Sequence, residues 1–189
     1  LSSQPITFDH RGYSASVWRA GWAALVLDTI IDGHHFTLVL MDGGSNLNLI
    51  YQDTVRNMGI DPAKISHRNT TFKGVTPGPE AHCTGSLLLE VIFGFPNNFR
   101  IENLTFHIAP FQSGYQALLG REAFARFNAI PHYASLMLKM PGPRGIITVN
   151  GNIEHSLCAE DCAASPTEAS DRSLRPRTRL DESGAAICN

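Results

Sequence analysis

Two apolar runs separated by Asp32-Gly33 are the feature of this sequence that most restricts its fold. The runs ALVLDTII (residues 24–31) and FTLVLM (residues 36–41) are rich in the β-branched and large apolar residues that strands favour. Asp-Gly between such runs is typical of a two-residue β-hairpin, because both central positions of a type I′ turn need a positive φ. The sequence therefore predicts an antiparallel hairpin whose second strand ends directly before Asp42.

The remaining apolar runs predict a domain made of many short strands. Runs bounded by turn residues predict strands over residues 70–75, 87–93, 99–108, 136–140 and 145–149. The apolar alternation slips by one near Asn103, which predicts a β-bulge. Helical spacing predicts two short helices, one through Tyr51, Val55 and Met58 with Gly59 as its cap, and one through Leu119, Ala123, Phe124 and Phe127. The sequence thus predicts an all-β domain, closed or nearly closed, with one or two short helices.

Composition divides the chain into three parts. Its 189 residues are 43% apolar and 17% charged, which suits one globular domain. Residues 1–20 are irregular and are predicted to form an N-terminal linker or arm ahead of a domain over residues 21–150. Residues 151–189 should be largely disordered, apart from a possible short helix. Because the N-terminus has neither an initiator Met nor a signal sequence, we expect the chain to be a piece of a longer polypeptide.

Charge, hydropathy and cysteine content disfavour several function classes. A formal net charge of −2 offers no electrostatic basis for nucleic acid as the main partner. No apolar run is long enough to cross a bilayer. We predict neither a metal nor a cofactor, because His34-His35 lacks a third ligand nearby. Free intracellular thiols are predicted, rather than a disulfide framework or a zinc site, for Cys83, Cys158, Cys162 and Cys188.

The stretch VLMDGGSNLNLI (residues 39–50) places one carboxylate at the end of a buried strand. A carboxylate at the end of a buried strand costs free energy, so Asp42 should be either solvated or functional. Gly43 and Gly44 let the backbone turn sharply and let another group approach closely. Taken alone, Asp-Gly-Gly is more often a turn than an active site. A phosphate-binding loop would need a Lys after the glycines, and no segment matches the nucleophile elbow of serine hydrolases.

A second motif later in the chain gives the Asp42 loop a partner. ALLGR (residues 117–121) opens the second predicted helix, and a Gly- and Pro-containing turn (residues 72–78) lies between the two motifs. In order and spacing they resemble the retropepsin family of aspartic proteases, in the form found in the Pol polyproteins of plant gypsy-like LTR retrotransposons. The resemblance covers about residues 20–150 and includes LKMPGPRGIITV (residues 138–149).

The resemblance implies a closed retropepsin-like (acid protease) β-barrel and an aspartic endopeptidase activity. By this resemblance Asp42 is the catalytic residue, and its loop is supported by Gly43, Gly44 and Ser45. A hairpin flap that folds over an extended substrate corresponds to Gly74, Val75, Thr76, Pro77 and Gly78. A segment that supports the catalytic loop corresponds to Leu118, Leu119, Gly120 and Arg121.

A single catalytic loop implies a homodimer. Hydrolysis by this route needs two carboxylates that share one proton. The sequence holds one Asp-Gly-Gly copy, so Asp42 of two chains would meet across a two-fold axis. The resemblance also implies a polyprotein or peptide substrate and a cytoplasmic virus-like particle as the location. It implies no membrane partner, no cofactor or metal, and no nucleic acid bound through this domain.

Two positions depart from the family pattern. Gly43 stands where the family has Thr or Ser, whose hydroxyl hydrogen-bonds across the dimer. Asn46 stands where retroviral members often have an acidic residue, paired with the Arg that corresponds to Arg121. The missing cross-dimer bonds would weaken the dimer by roughly 1 kcal/mol or more per buried bond. A catalytically inactive retropepsin-like domain, acting as a dimerisation or scaffold module of a degenerate element, is therefore the alternative.

Overall fold

The computed structural model of the chain describes residues 1–8, 23–67, 70–72, 81–156, 179–180 and 186–187. Its longer strands are β1 (Leu25–Ile31), β2 (His34–Met41), β3 (Asn48–Tyr51), β6 (Ser86–Phe95), β7 (Asn98–Ala109), β10 (Met137–Gly142) and β11 (Gly145–Asn150). Its shorter strands are β4 (Thr70–Phe72), β5 (Ala81–Cys83), β8 (Ala117–Leu119), β9 (Ile130–His132), β12 (Arg179–Leu180) and β13 (Ala186–Ile187). The helices are α1 (Gln52–Asn57) and α2 (Arg121–Phe127), with 3₁₀ turns over Pro62–Lys64 and Tyr133–Ser135.

Six strands close into a barrel in the order β1-β2-β8-β3-β7-β6, and β6 pairs back to β1. The β2–β8 and β3–β7 pairs are parallel, whereas the other neighbours are antiparallel. Closure pairs every strand of this sheet on both sides. The prediction of an all-β closed barrel with short helices is confirmed. Parallel pairing also places the C-terminal ends of β2 and β8 side by side.

The predicted hairpin joins β1 to β2. Asp32 and Gly33 have φ values of 47° and 77°, the left-handed conformations that a type I′ turn needs. The register of this pair shifts once, between Leu27 and Thr29, where the two β2 residues Thr37 and Leu38 are opposite Asp28, so the bulge lies in the second strand. The hairpin carries the chain directly to Asp42, which follows the last residue of β2.

Apolar side chains from the barrel strands and from α2 fill the interior. The largest fully buried ones include Leu27, Ile31, Phe36, Ile50, Phe93, Leu104, Phe106, Leu119 and Phe127. Arg100 is also buried and lies against the end of α2, where it donates to the carbonyl oxygens of Phe127 and Arg126 and pairs with Glu102. These bonds satisfy carbonyl groups that the last turn of a helix leaves without partners.

The bulge predicted near Asn103 is wrong. β6 and β7 pair in one continuous register along their whole length. The apolar pattern slips because Arg100 takes an inward-facing position, whereas Phe99 and Ile101 face outward and are each 43% exposed. The buried and hydrogen-bonded Arg100 therefore produces the same slip in the apolar pattern as a bulge would.

Several element boundaries also differ from the predictions. Tyr51 and Leu119 end strands rather than belonging to helices, because their segments pair with neighbouring barrel strands. β6 continues through Gly94 and β10 through Pro141, beyond the strand ends predicted at residues 93 and 140. Long-range strand pairing outweighs local helix and turn signals at these places.

Smaller sheets and the first residues surround the barrel. β9, β10 and β11 form one sheet, and β4 pairs with β5. Lys139 of β10 donates to the carbonyl oxygen of Thr7 (2.6 Å), and Phe8 stacks on His132 of β9 (4.6 Å between ring centroids). The first residues of the predicted arm thus lie against this sheet. No helix in the described part of the chain is long and apolar enough to span a bilayer.

Candidate active site

Asp42 lies directly after β2 and beside the parallel strand β8. Its backbone N–H donates to the carbonyl oxygen of Leu119 (2.9 Å), which extends the β2–β8 ladder one bond beyond Met41. The Asp42 residue is partly exposed. The barrel therefore fixes the backbone of Asp42 while leaving the residue accessible, which is the arrangement a reacting carboxylate needs.

Hydrogen bonds within the loop hold the Asp42 side chain. The Gly44 N–H donates to Asp42 Oδ1 (2.8 Å), and the Ser45 N–H donates to the Asp42 carbonyl oxygen (3.2 Å). A Cβ atom on Gly44 would stand 3.1 Å from Oδ1, so a glycine lets this amide come close. The Ser45 hydroxyl bonds to both the carbonyl oxygen (2.8 Å) and the N–H (3.2 Å) of Leu47. One Asp42 oxygen is thus oriented by the loop, and Oδ2 has no hydrogen-bond partner among the described residues.

The ALLGR segment contacts this loop through its backbone. Leu118 and Leu119 are buried in β8, and the Arg121 N–H donates to the carbonyl oxygen of Ser45 (2.9 Å). A Cβ atom on Gly120 would stand 2.8 Å from the Ser45 carbonyl oxygen and closer still to that of Leu47. Because both clashes are with backbone, this crossing requires a glycine. The structure therefore brings the two sequence motifs together.

Asn48 joins the two motifs and was not among the predicted site residues. This residue is fully buried, and its Oδ1 accepts from the Gly120 N–H (2.9 Å). Its Nδ2 donates to the carbonyl oxygen of Thr105 (3.2 Å) and to Oε2 of Glu122 (3.0 Å). A polar residue within the apolar run LNLI was the available sequence signal, since a buried amide needs partners.

The Arg121 side chain has no hydrogen bond with Asn46, which stands where the family often has an acidic partner for this Arg. Both residues are exposed, and Arg121 has no ion-pair or hydrogen-bond partner for its side chain in the described part of the chain. Arg121 and Gly43 both line a groove of about 600 Å³. Its other lining residues are Phe124, Ala125, Asn128, Ala129, Ile130 and Pro131.

Two tyrosines lie within electrostatic reach of Asp42. Burial raises the pKa of Tyr51, a hydrogen bond with Ser113 lowers this pKa, and the Asp42 charge raises it. Burial also raises the pKa of Tyr133, a hydrogen bond with the backbone of Gly43 lowers it, and the Asp42 charge raises it. The pKa of each phenol is therefore raised overall, so both keep their protons at acidic and neutral pH.

The predicted flap residues, Gly74, Val75, Thr76, Pro77 and Gly78, lie outside the described residues. The strands that flank them in sequence are described. β4 pairs antiparallel with β5, and Phe72 is opposite Ala81. The chain on either side of the predicted flap is therefore arranged as the two arms of a hairpin.

No protein-family model matches this sequence, and no curated protein matches it. Among similar solved structures is the retroviral protease-like domain of Ddi1 from Leishmania major, with a TM-score of 0.49 and 13% sequence identity. The match covers 70% of this chain and 96% of that one. A retropepsin-like aspartic protease from Rickettsia conorii has a TM-score of 0.42 and 14% identity, covering 66% of this chain and 80% of that one. At these identities and scores, the likeness assigns no activity to this chain.

Proposed function

We propose that this chain contains a retropepsin-like aspartic endopeptidase domain that works as a homodimer, with Asp42 as its catalytic residue. The observation that supports this most is the position of Asp42 at the end of a barrel strand, bonded through its backbone to Leu119. The crossing of Gly120 against the loop, which leaves no room for a side chain, gives further support. A surface turn without function would need neither of these restraints.

In the proposed mechanism, Asp42 of each chain contributes one carboxyl group to a shared site. Two carboxylates a few Å apart cannot both ionise, so the pair holds one proton over a range of pH. The ionised carboxylate removes a proton from a water molecule that attacks the peptide carbonyl carbon. The protonated carboxyl donates to the carbonyl oxygen, which gives a gem-diol intermediate. As this intermediate collapses, the carboxyl that took the proton from water gives it to the amide nitrogen, the C–N bond breaks, and the other carboxylate takes a proton from a gem-diol hydroxyl. The bond from Gly44 to Asp42 Oδ1 would keep one oxygen oriented during these transfers.

We propose that the substrate is an extended peptide segment of a polyprotein. The predicted flap (residues 74–78) would close over it, exclude water and bond to its backbone. By the sequence resemblance, the source would be the Pol polyprotein of a plant gypsy-like retrotransposon. Cleavage would then occur in a cytoplasmic virus-like particle.

A second candidate is an inactive domain that dimerises without cleaving. Gly43 supplies no hydroxyl for a bond across the dimer, and Arg121 has no side-chain partner among the described residues. The first feature would loosen a catalytic pair, because each missing buried bond costs roughly 1 kcal/mol, and the second removes a support of the loop. We favour the endopeptidase because the restraints on Asp42 and Gly120 are present.

The test is self-cleavage of residues 1–189 with their native flanks, followed by intact mass from mildly acidic to neutral pH. Asp42→Asn should abolish cleavage, because an amide cannot serve as the base. Asp53→Asn is the matched control, since Asp53 is an exposed carboxylate on α1 paired with Arg56. Sedimentation velocity on the same samples should show a concentration-dependent dimer.

Three results would contradict the proposal. Equal cleavage by the wild type and by Asp42→Asn would assign the activity to another protease. A folded wild type that never cleaves would favour the inactive candidate, and a monomer at every concentration would exclude a dyad made from two chains.

A further inference from the structure

The segment over residues 119–121 makes one hydrogen bond per residue to the Asp42 loop. Its first and last bonds join backbone to backbone, at Asp42 and at Ser45 (2.9 Å each). The middle bond is different, because the Gly120 N–H donates to a side-chain oxygen, Oδ1 of Asn48 (2.9 Å). The middle of this contact therefore depends on how one side chain is oriented.

The Asn48 amide can accept from Gly120 in only one of its two orientations. Rotation of the amide by 180° exchanges its oxygen for an NH₂ group, which would then face another donor, the Gly120 N–H. Both residues are buried, so a lost bond there is costly. The acceptors at the other end of the amide fix its orientation: Nδ2 donates to the Thr105 carbonyl oxygen (3.2 Å) and to Oε2 of Glu122 (3.0 Å).

Glu122 is the charged one of these two acceptors and makes the shorter bond. Hydrogen bonds to a charged acceptor are roughly twice as strong as bonds between neutral groups. The other Glu122 oxygen is 3.8 Å from Arg126, whose side chain is 58% exposed, so this ion pair contributes little. The bond to Asn48 is thus the main contact of the Glu122 carboxylate within the described part of the chain.

We propose that Glu122 is a positioning residue of the Asp42 loop. Its carboxylate fixes the Asn48 amide with Oδ1 towards Gly120, and this bond holds the loop in the geometry in which Gly44 donates to Asp42. The inference rests on the proposed function, because the loop that Glu122 positions is the proposed catalytic loop. Glu122 acts through Asn48 and takes no proton in the reaction.

The first test is amide hydrogen exchange measured by NMR on residues 1–189 of the wild type, Glu122→Ala and Glu122→Gln. The reporters are the amides of Gly120 and Gly44, each of which donates to a side chain of the loop. We expect Glu122→Ala to speed exchange about ten-fold at Gly120 and about three-fold at Gly44, with the barrel strands unchanged. Glu122→Gln keeps a carbonyl acceptor, so exchange at Gly120 should stay within about three-fold of the wild type.

Arg126→Met is the matched control for the helix. It removes the ion pair between Arg126 and Glu122 and leaves the bond from Asn48 to Glu122 in place. We expect no change at Gly120 in this variant. Exchange within α2 is followed in every sample, because Glu122 lies in the first turn of this helix and could act by stabilising it alone.

The second test is cleavage of a peptide that spans the site of self-cleavage. We expect Glu122→Ala to lower kcat about ten-fold with KM within about two-fold, because a loosened loop affects the transition state more than binding. Glu122→Gln should restore kcat to within about three-fold of the wild type, and Arg126→Met should leave both constants unchanged.

The outcomes separate this inference from the proposed function. A wild type without peptidase activity refutes the proposed function, and the exchange measurement then decides the role of Glu122 alone. Unchanged exchange at Gly120 in Glu122→Ala overturns the positioning role. Equally faster exchange at Gly120, in α2 and in the barrel strands also overturns it, because the carboxylate then stabilises the fold as a whole.

Three further results would also overturn the inference. Equal losses in Glu122→Gln and Glu122→Ala would assign the effect to the charge instead of the hydrogen-bond acceptor. An Arg126→Met variant as impaired as Glu122→Ala would assign it to the ion pair on the helix. Faster exchange at Gly120 with an unchanged kcat would show that the contact does not position the reacting carboxyl group.

Discussion

Replacing Asn48 with leucine should destabilise the domain strongly, although it exchanges a polar side chain for an apolar one of similar volume. Asn48 is 0% exposed, and it joins the Gly120 N–H, the Thr105 carbonyl oxygen and the Glu122 carboxylate. A leucine side chain at this position would leave the Gly120 N–H buried without a partner, which costs about 1–3 kcal/mol. Thr105 and Glu122 are only partly buried, so water can replace their lost bonds at roughly 0.5 kcal/mol each.

Together these losses amount to about 3 kcal/mol of unfolding free energy. With an m-value of about 2 kcal/mol/M, the urea midpoint should fall by roughly 1.5 M, with m unchanged. The assay is equilibrium urea unfolding followed by circular dichroism at neutral pH. Asn46→Leu is the matched control, because Asn46 is exposed two residues earlier and should change stability by less than about 0.5 kcal/mol.

Asn48→Asp tests the same three hydrogen bonds with a side chain that adds a charge. An aspartate can still accept from the Gly120 N–H but cannot donate to Thr105, and its charge would face Glu122. This variant should be less stable than the wild type at neutral pH and should recover partly in acid, where the new carboxyl is protonated. Our assignment of Asn48 as the link between the two motifs is refuted if Asn48→Leu unfolds at the same urea concentration as Asn46→Leu.

Three further predictions concern other parts of the barrel. Gly120→Ala should lower the unfolding free energy by about 2–4 kcal/mol in urea titrations, because its Cβ would meet backbone oxygens of the neighbouring loop; unchanged stability would mean that the crossing is not tight. Arg100→Met should cost about 3 kcal/mol, because the carbonyl groups of Arg126 and Phe127 and the half-buried Glu102 carboxylate lose their cation; a more stable variant would contradict this. Burial lowers the pKa of His107 below its ordinary 6.5, so its stabilising effect is present above about pH 6.5 and lost as the pH falls. The fall in stability between pH 7 and 5 should therefore be smaller in His107→Gln than in the wild type. A steeper fall in the variant would mean that folding raises the pKa of His107 instead of lowering it.

The local features of the fold followed from short-range chemistry. Asp32-Gly33 forms the predicted turn because only residues that tolerate positive φ connect twisted strands so tightly. Asp42 lies at the end of a strand because the apolar run before it ends there. The Asp42 and ALLGR motifs were recognised by resemblance to a family, since neither indicates an active site by itself.

The sequence-based predictions that were wrong have a common cause. Leu119 has a helical spacing to the residues after it but belongs to β8, which pairs with β2 and β3, and Arg100 occupies an inward position that an apolar residue usually holds. In both cases a partner distant in sequence determines the outcome. Tyr133 was not predicted near Gly43 for the same reason, since the two residues follow strands of different sheets.

The sequence by itself determined the hairpin, the all-β class and the position of Asp42 at a strand end. These depend on backbone preferences and apolar patterns that act over a few residues. Only the tertiary structure decided what surrounds that carboxylate: the bond from Asp42 to Leu119, the Asn48 link to Gly120, and the Tyr133 hydroxyl at Gly43. Barrel closure brings these groups together, and the geometry of a closed sheet depends on all of its strands at once.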